Sequence, residues 1–222
     1  MKKLTAKLDA YADQIRADLQ KKDAAREKVL PLCRELIRYA SITIRAIHRQ
    51  EFAEAKKLLT EGRQVREALA QAVEEWPELR YHGFVRDAQK EYTEANAVFA
   101  LVSGQPLPGP DDLNVDYPAY LNGLGDTVGE LRRYILDSMR SGDLSKCEET
   151  LTAMDDIYTT LVTMDFPDAV TGGLRHTTDQ VRGILEKTRG DITLAVREQS
   201  LEQKLAGSGS KPAGTKITRK KS

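Results

Sequence analysis

Arg34-Glu-Leu-Ile-Arg38-Tyr-Ala-Ser41-Ile-Thr-Ile-Arg45-Ala-Ile-His48-Arg49 decides the fold of this chain. Leu36, Ile37, Ala40, Ile44 and Ile47 recur three or four residues apart, the spacing that lines side chains along one side of a helix and not of a strand. The arginines keep the same rhythm on the other side, at +4, +11 and +15 from Arg34. At about 100° per residue the four lie within roughly 60° of one another, and Ser41 and His48 join the strip. Only Glu35 is acidic here. A helix with one apolar and one basic face belongs in an all-α bundle.

The helical period continues outward on both sides. It predicts a first helix from about Leu4 to Arg49, bent near Pro31, where proline removes one hydrogen bond and crowds the preceding turn. A second helix is expected from Glu51 to Glu75, stopping at Trp76-Pro77, and a third from Leu79 to Leu101. Ser103 to Asp112, with three prolines and two glycines, reads as a loop. A fourth helix follows from Tyr117 to Met139, then a fifth from Leu144 to Met164, broken by Phe166-Pro167. The last runs from Asp168 to Leu205, weakened at Gly172-Gly173, Gly183 and Gly190, since glycine costs about 1 kcal/mol against alanine in a helix. The expectation is an all-α bundle of six to seven helices over residues 1–206, followed by a disordered basic tail at 207–222.

Composition agrees. Charged residues make up 31 % and aromatics 6 %, a mix that favours long solvated helices over a sheet. No apolar run approaches the roughly 20 residues of a membrane span. The first residues lack the apolar stretch of a signal peptide. Cys33 and Cys147 have no metal-ligand spacing, so they are expected to be reduced, partly buried thiols of a cytoplasmic protein. Net charge is zero but unevenly spread: residues 207–222 carry five bases and no acid, leaving 29 bases against 34 acids in the body. The body is therefore no generic polyanion binder, and a nucleic-acid surface must be a local patch or the tail.

Two carboxylate pairs carry the chemistry: Glu91-Tyr-Thr-Glu94 and Asp126-Thr-Val-Gly-Glu130. Each pair shares one side of a helix, and two such helices could supply four oxygen ligands to hard divalent cations. Such a metal activates water or steadies a phosphate leaving group. On the third helix the apolar side is set by Phe84, Ala88, Tyr92, Ala95, Phe99 and Val102. Glu91 falls about 60° from its centre and Glu94 about 120°. On the fourth, the stripe Tyr117, Tyr120, Leu121, Leu124, Val128, Leu131 and Ile135 leaves Asp126 and Glu130 on the far side. The residues alone leave two readings open, a metal site or two solvated faces, and shelter for the far side would require subunit assembly. The arginine strip likewise reads as a solvated face or as a track for bidentate phosphate contacts. His48, His82 and His176 have no zinc spacing, no paired Glu-x-x-His motif of a di-iron bundle occurs, and no P-loop or dinucleotide glycine motif appears.

Gln89-Lys-Glu91-Tyr-Thr-Glu94-Ala resembles the Q-E-Y-x-E-A helix of the translin family, in its translin-associated factor X branch. Tyr117-x-x-Tyr120-Leu-x-Gly-Leu-Gly-Asp126-Thr-x-Gly-Glu130-Leu-x-Arg resembles the branch's D-Y-L-x-G-x-x-D-x-T-G-E-L-x-R helix, Ser141-Gly142-Asp143 its G-D turn, and Arg38-Tyr-Ala-Ser41-Ile-Thr43, more loosely, its first helix. The likeness spans roughly residues 20–200. The chain departs from the family in a shorter proline-rich link before the fourth helix, a threonine displaced by one position, and a basic tail.

The resemblance implies a metal-dependent endoribonuclease of short or single-stranded RNA, with Glu91, Glu94, Asp126 and Glu130 as catalytic and metal-binding residues. Mg²⁺ is the expected ion and Mn²⁺ its substitute. Arg34, Arg38, Arg45, His48, Arg49 and Arg86 are expected to contact RNA, with Tyr81 and His82 beside them. Single-stranded DNA is a further expected ligand, and a homo-oligomer, an octamer as in compact archaeal members, the expected assembly. Two alternatives stand beside this: a non-catalytic RNA- or single-stranded-DNA-binding protein, and an all-α nucleoside-triphosphate pyrophosphohydrolase, whose second acidic motif is normally E-x-x-D.

Overall fold

The computed structural model describes residues 2–74 and 76–208. Six long helices form the body: α1 (Lys2–His48), α2 (Phe52–Glu74), α4 (Gly83–Ser103), α6 (Tyr117–Arg140), α7 (Cys147–Val162) and α9 (Leu174–Ser208). Three single turns link them: α3 (Pro77–Arg80), α5 (Pro110–Leu113) and α8 (Asp168–Thr171). Among the described residues there is no strand, and the all-α bundle expected from the hydrophobic period is the fold observed. The predicted tail at 207–222 lies almost wholly outside the described residues.

The boundaries differ where a local rule overrides the period. α1 runs unbroken through Pro31. The expected third helix is divided, because His82 takes an extended conformation (ψ 144°) between α3 and α4. Within the expected loop, Pro110 begins a turn of helix and the Asp112 carboxylate accepts the Gly109 N–H at 2.8 Å. The last helix breaks at Gly172 and Gly173, whose φ of +67° and +88° only glycine adopts freely, while Gly183 and Gly190 lie inside α9. Cys33 and Cys147 are free and buried.

α1 packs on α2 and α4, α4 on α6, and α6 on α7 and α9. One part of the core, with Val29, Leu36, Leu69 and Tyr92, lies between α1, α2 and α4. The other, with Val98, Leu131, Ile135 and Met154, gathers around α6 and α7. α4 and α6 are thus enclosed on several sides, which one apolar stripe on either does not reveal.

Glycine allows these two helices to touch. A Cβ on Gly123 would lie 2.7 Å from the Lys90 carbonyl oxygen and 2.7 Å from Thr93 Cβ. A Cβ on Gly125 would run into the Thr177 methyl of α9. Asn122 locks the same turn: its Nδ2 donates to the Thr171 carbonyl at 2.8 Å, and its Oδ1 accepts from the Thr177 hydroxyl at 2.7 Å. Alanine should gain about 1 kcal/mol of helix propensity at Gly123 and lose up to about 3 to overpacking against backbone. Gly123→Ala is therefore expected to lower the melting temperature by about 3–6 °C. Gly129→Ala, with nothing within 4 Å of its Cβ, is expected to raise it. Thermal melts of the two variants check the opposite signs.

Candidate metal and nucleic-acid site

The α4–α6 contact brings the four carboxylates into one electrostatic cluster. Glu94, on α4 beside the Thr93–Gly123 contact, is only 8 % exposed. Burial first, and then the charges of Glu91, Asp126 and Glu130, push its carboxyl up to about 8, with Lys90 opposing them. Glu91 is half-buried and also raised, again chiefly by burial, with Lys90 pulling it back and Asp126, Asp87 and Glu130 pushing it up. Glu130 goes the other way, held below the usual carboxylate range by a hydrogen bond from His48.

These positions correct the helical-angle reading. Glu94, expected well away from the apolar side, is buried. Asp126 and Glu130, expected on a far side that only an oligomer would shelter, have side chains just 33 % and 25 % exposed within one chain. The reason is Gly123 and Thr127, both buried, which form a second, non-aliphatic packing face on α6.

Two partners escaped the sequence reading. Lys90 Nζ reaches across from α4 to Asp126 Oδ2 at 2.6 Å. His48, at the end of α1, places Nε2 at 2.5 Å from Glu130 Oε2, with its side chain 6 % exposed. Its Nδ1 is buried without a hydrogen-bond partner, 3.9 Å from Asp137 Oδ2. His48 was expected on the RNA strip; its contact is instead with an acid of the cluster. A lysine flanked by Gln89 and Glu91 carries no signal that its partner lies 36 residues on.

The chemistry of the set suits a hard divalent cation, which carboxylate oxygens favour. An acid held above its normal range first by burial and then by three other carboxylates is a group that an added cation would stabilise. The ligands are not gathered into a finished cage: among the described residues no group of three or more acids, histidines or cysteines is arranged to hold a metal. Lys90 on Asp126 and His48 on Glu130 each engage a would-be ligand oxygen.

The arginines of α1 form the predicted exposed strip. Arg34 and Arg45 make no ion pair among the described residues. Arg38 lies 3.5 Å from Glu35 and 4.7 Å over the Tyr39 ring. Arg49 is held by both oxygens of Glu51, at 2.9 and 2.6 Å. Arg86 is exposed and covers Gly172, where a Cβ would meet its Nη1 at 3.1 Å. Tyr81 is exposed, and the His82 ring lies 5.5 Å from that of Phe84. No described helix is long and apolar enough to cross a membrane.

Residues 1–188 match the Translin family. The chain belongs to the translin family. An uncharacterized protein of Methanocaldococcus jannaschii is 32 % identical to this translin-family chain over 192 residues, which is 84 % of this chain and 83 % of the relative. The solved structure of AfC3PO in complex with duplex RNA superposes with a TM-score of 0.78 at 34 % identity, covering 85 % of this chain and 97 % of that one. AfC3PO crystallised by itself gives 0.77 at the same identity, over 85 % and 98 %. Apo-NeC3PO, at 20 % identity and a TM-score of 0.74, over 83 % and 96 %, shares the fold.

Proposed function

We propose that this translin-family protein is a divalent-cation-dependent endoribonuclease of the translin-associated factor X branch, acting on RNA inside a homo-oligomeric shell. The carrying observation is the convergence of Glu91, Glu94, Asp126 and Glu130 across the α4–α6 contact with Glu94 buried among them. Relatedness to a protein solved in complex with duplex RNA supports RNA as the substrate class, with short or single-stranded RNA the expected form.

The four carboxylates would hold Mg²⁺, or Mn²⁺ in its place. Bound there, the ion would orient or activate the attacking water and offset charge on the cleaved phosphodiester. Glu94, whose burial raises its proton affinity, or Glu130 would accept the water's proton. His48 fixes the orientation of Glu130. Arg34 and Arg45, unpaired among the described residues, with Arg38 and Arg49, would bind phosphates along α1.

The test is cleavage of an end-labelled RNA by the purified protein. Cutting is expected with Mg²⁺ or Mn²⁺ and its loss with EDTA; cutting that persists unchanged in EDTA overturns the reading. The lack of a finished ligand cage favours one rival, RNA binding without turnover. That rival predicts salt-dependent binding, unaffected by chelation, and no product at any cation concentration.

A further inference from the structure

We propose that Lys90 is a built-in counter-ion of the acid cluster, holding Asp126 in the metal-free protein and competing with the divalent cation for that carboxylate. The proposal rests on the metal-site reading above and adds the residue that tunes it.

Lys90 Nζ lies 2.6 Å from Asp126 Oδ2, and the pair joins the two helices that carry the acids. Both side chains are about two-thirds shielded, so the contact is not one of the freely hydrated surface pairs that contribute little. The ammonium also feels Glu91 and Glu94. After burial, Glu91, Asp126 and Glu130 push the Glu94 carboxyl up and Lys90 opposes them. The Lys90 carbonyl meanwhile lies in the α4–α6 contact, 2.7 Å from where a Gly123 Cβ would be. The stem therefore starts at the helix contact, and its ammonium reaches Asp126 on the facing helix.

Lysine suits this task better than arginine. Its ammonium is a compact point charge on a flexible four-carbon stem, able to leave a carboxylate, whereas a guanidinium fork grips both oxygens. Without Lys90 the four acids would face one another with His48 and, at 3.9 Å, Arg133 left as partners, both on Glu130. With it, the cluster tolerates the absence of metal, and an incoming cation must displace a positive charge as well as shed water. The affinity is thereby set lower than the carboxylates alone would give.

Calorimetric titration of the full-length protein with Mn²⁺ and with Mg²⁺, set beside melting curves in EDTA, tests this. Lys90→Gln is expected to bind either cation about tenfold more tightly than wild type, a change within reach of one removed charge at this distance. It should also melt lower in EDTA and recover more on adding cation. Lys90→Arg keeps the charge and should bind at wild-type strength or a few-fold more weakly. Equal affinities in wild type and Lys90→Gln, or weaker binding by Lys90→Gln, overturn the lysine's role and leave the metal site standing. If neither protein binds cation while circular dichroism shows both folded, the metal-site reading falls and this proposal with it. Should Lys90→Gln fail to fold, Lys90→Arg decides, with tighter binding than wild type as the overturning result.

Discussion

Asp126→Asn combined with Glu130→Gln is expected to reduce Mg²⁺-dependent RNA cleavage by about 10³-fold or more, the scale of losing a cation worth several kcal/mol in the transition state. The two substitutions keep shape and hydrogen-bonding capacity while removing two of the four charges. They should not unfold the bundle. Asp126 loses an ion pair with Lys90 and Glu130 the charge that strengthens its hydrogen bond from His48, but both changes relieve repulsion on the buried Glu94. Melting in EDTA is therefore expected to be unchanged or slightly raised. RNA affinity should stay within a few-fold of wild type, because Arg34, Arg38, Arg45 and Arg49, proposed to bind phosphate, stand on α1 or just past its end and not on α4 or α6. Cleavage assays, gel-shift titrations and melts on one preparation separate these effects. Unchanged cutting by the folded double variant would remove the four acids from the mechanism.

The helices were legible because their signals are local. The Leu36–Ile47 stripe and the Trp76-Pro77 stop each report on a few neighbouring residues, and each lies at or near a feature of the fold, whereas Gly172-Gly173, expected only to weaken the last helix, break it. The acids were legible as pairs and through their resemblance to a family helix, but not in their surroundings. Apolar angles placed Asp126 and Glu130 outside, since the angle argument assumes that a helix buries its aliphatic side alone. α6 also buries Gly123 and Thr127, a face made of small groups that close backbone approach can use and a hydropathy pattern cannot display. Lys90 and His48 were illegible as members of the cluster for a different reason: their partners are fixed by tertiary contacts between helices 36 and 82 residues apart in sequence.

Glu94→Gln is expected to stabilise the metal-free protein, and to do so more strongly as pH rises. The folded-state carboxyl sits at about 8, while the unfolded chain should titrate near the ordinary glutamate value of about 4.3. Below pH 4 both states hold the proton and the residue is neutral to stability. Between pH 4.3 and 8 the unfolded chain releases a proton that the folded protein keeps, so wild-type stability falls with pH, by at most about 1.4 kcal/mol per unit. Above pH 8 the deficit levels off at several kcal/mol. Glutamine cannot ionise and escapes it. In EDTA the melting temperatures of wild type and Glu94→Gln should therefore coincide near pH 4.5 and diverge by roughly 10 °C by pH 8. Mg²⁺ should close much of the gap by stabilising the wild-type carboxylate and doing less for glutamine, and the variant should lose cleavage. A gap independent of pH, or a variant less stable than wild type at pH 8, would mean that Glu94 is an ordinary hydrogen-bonded acid. The stability that wild type forgoes at pH 8 is the free energy a cation can recover on binding, and so measures how far this acid is held for a ligand and not for the fold.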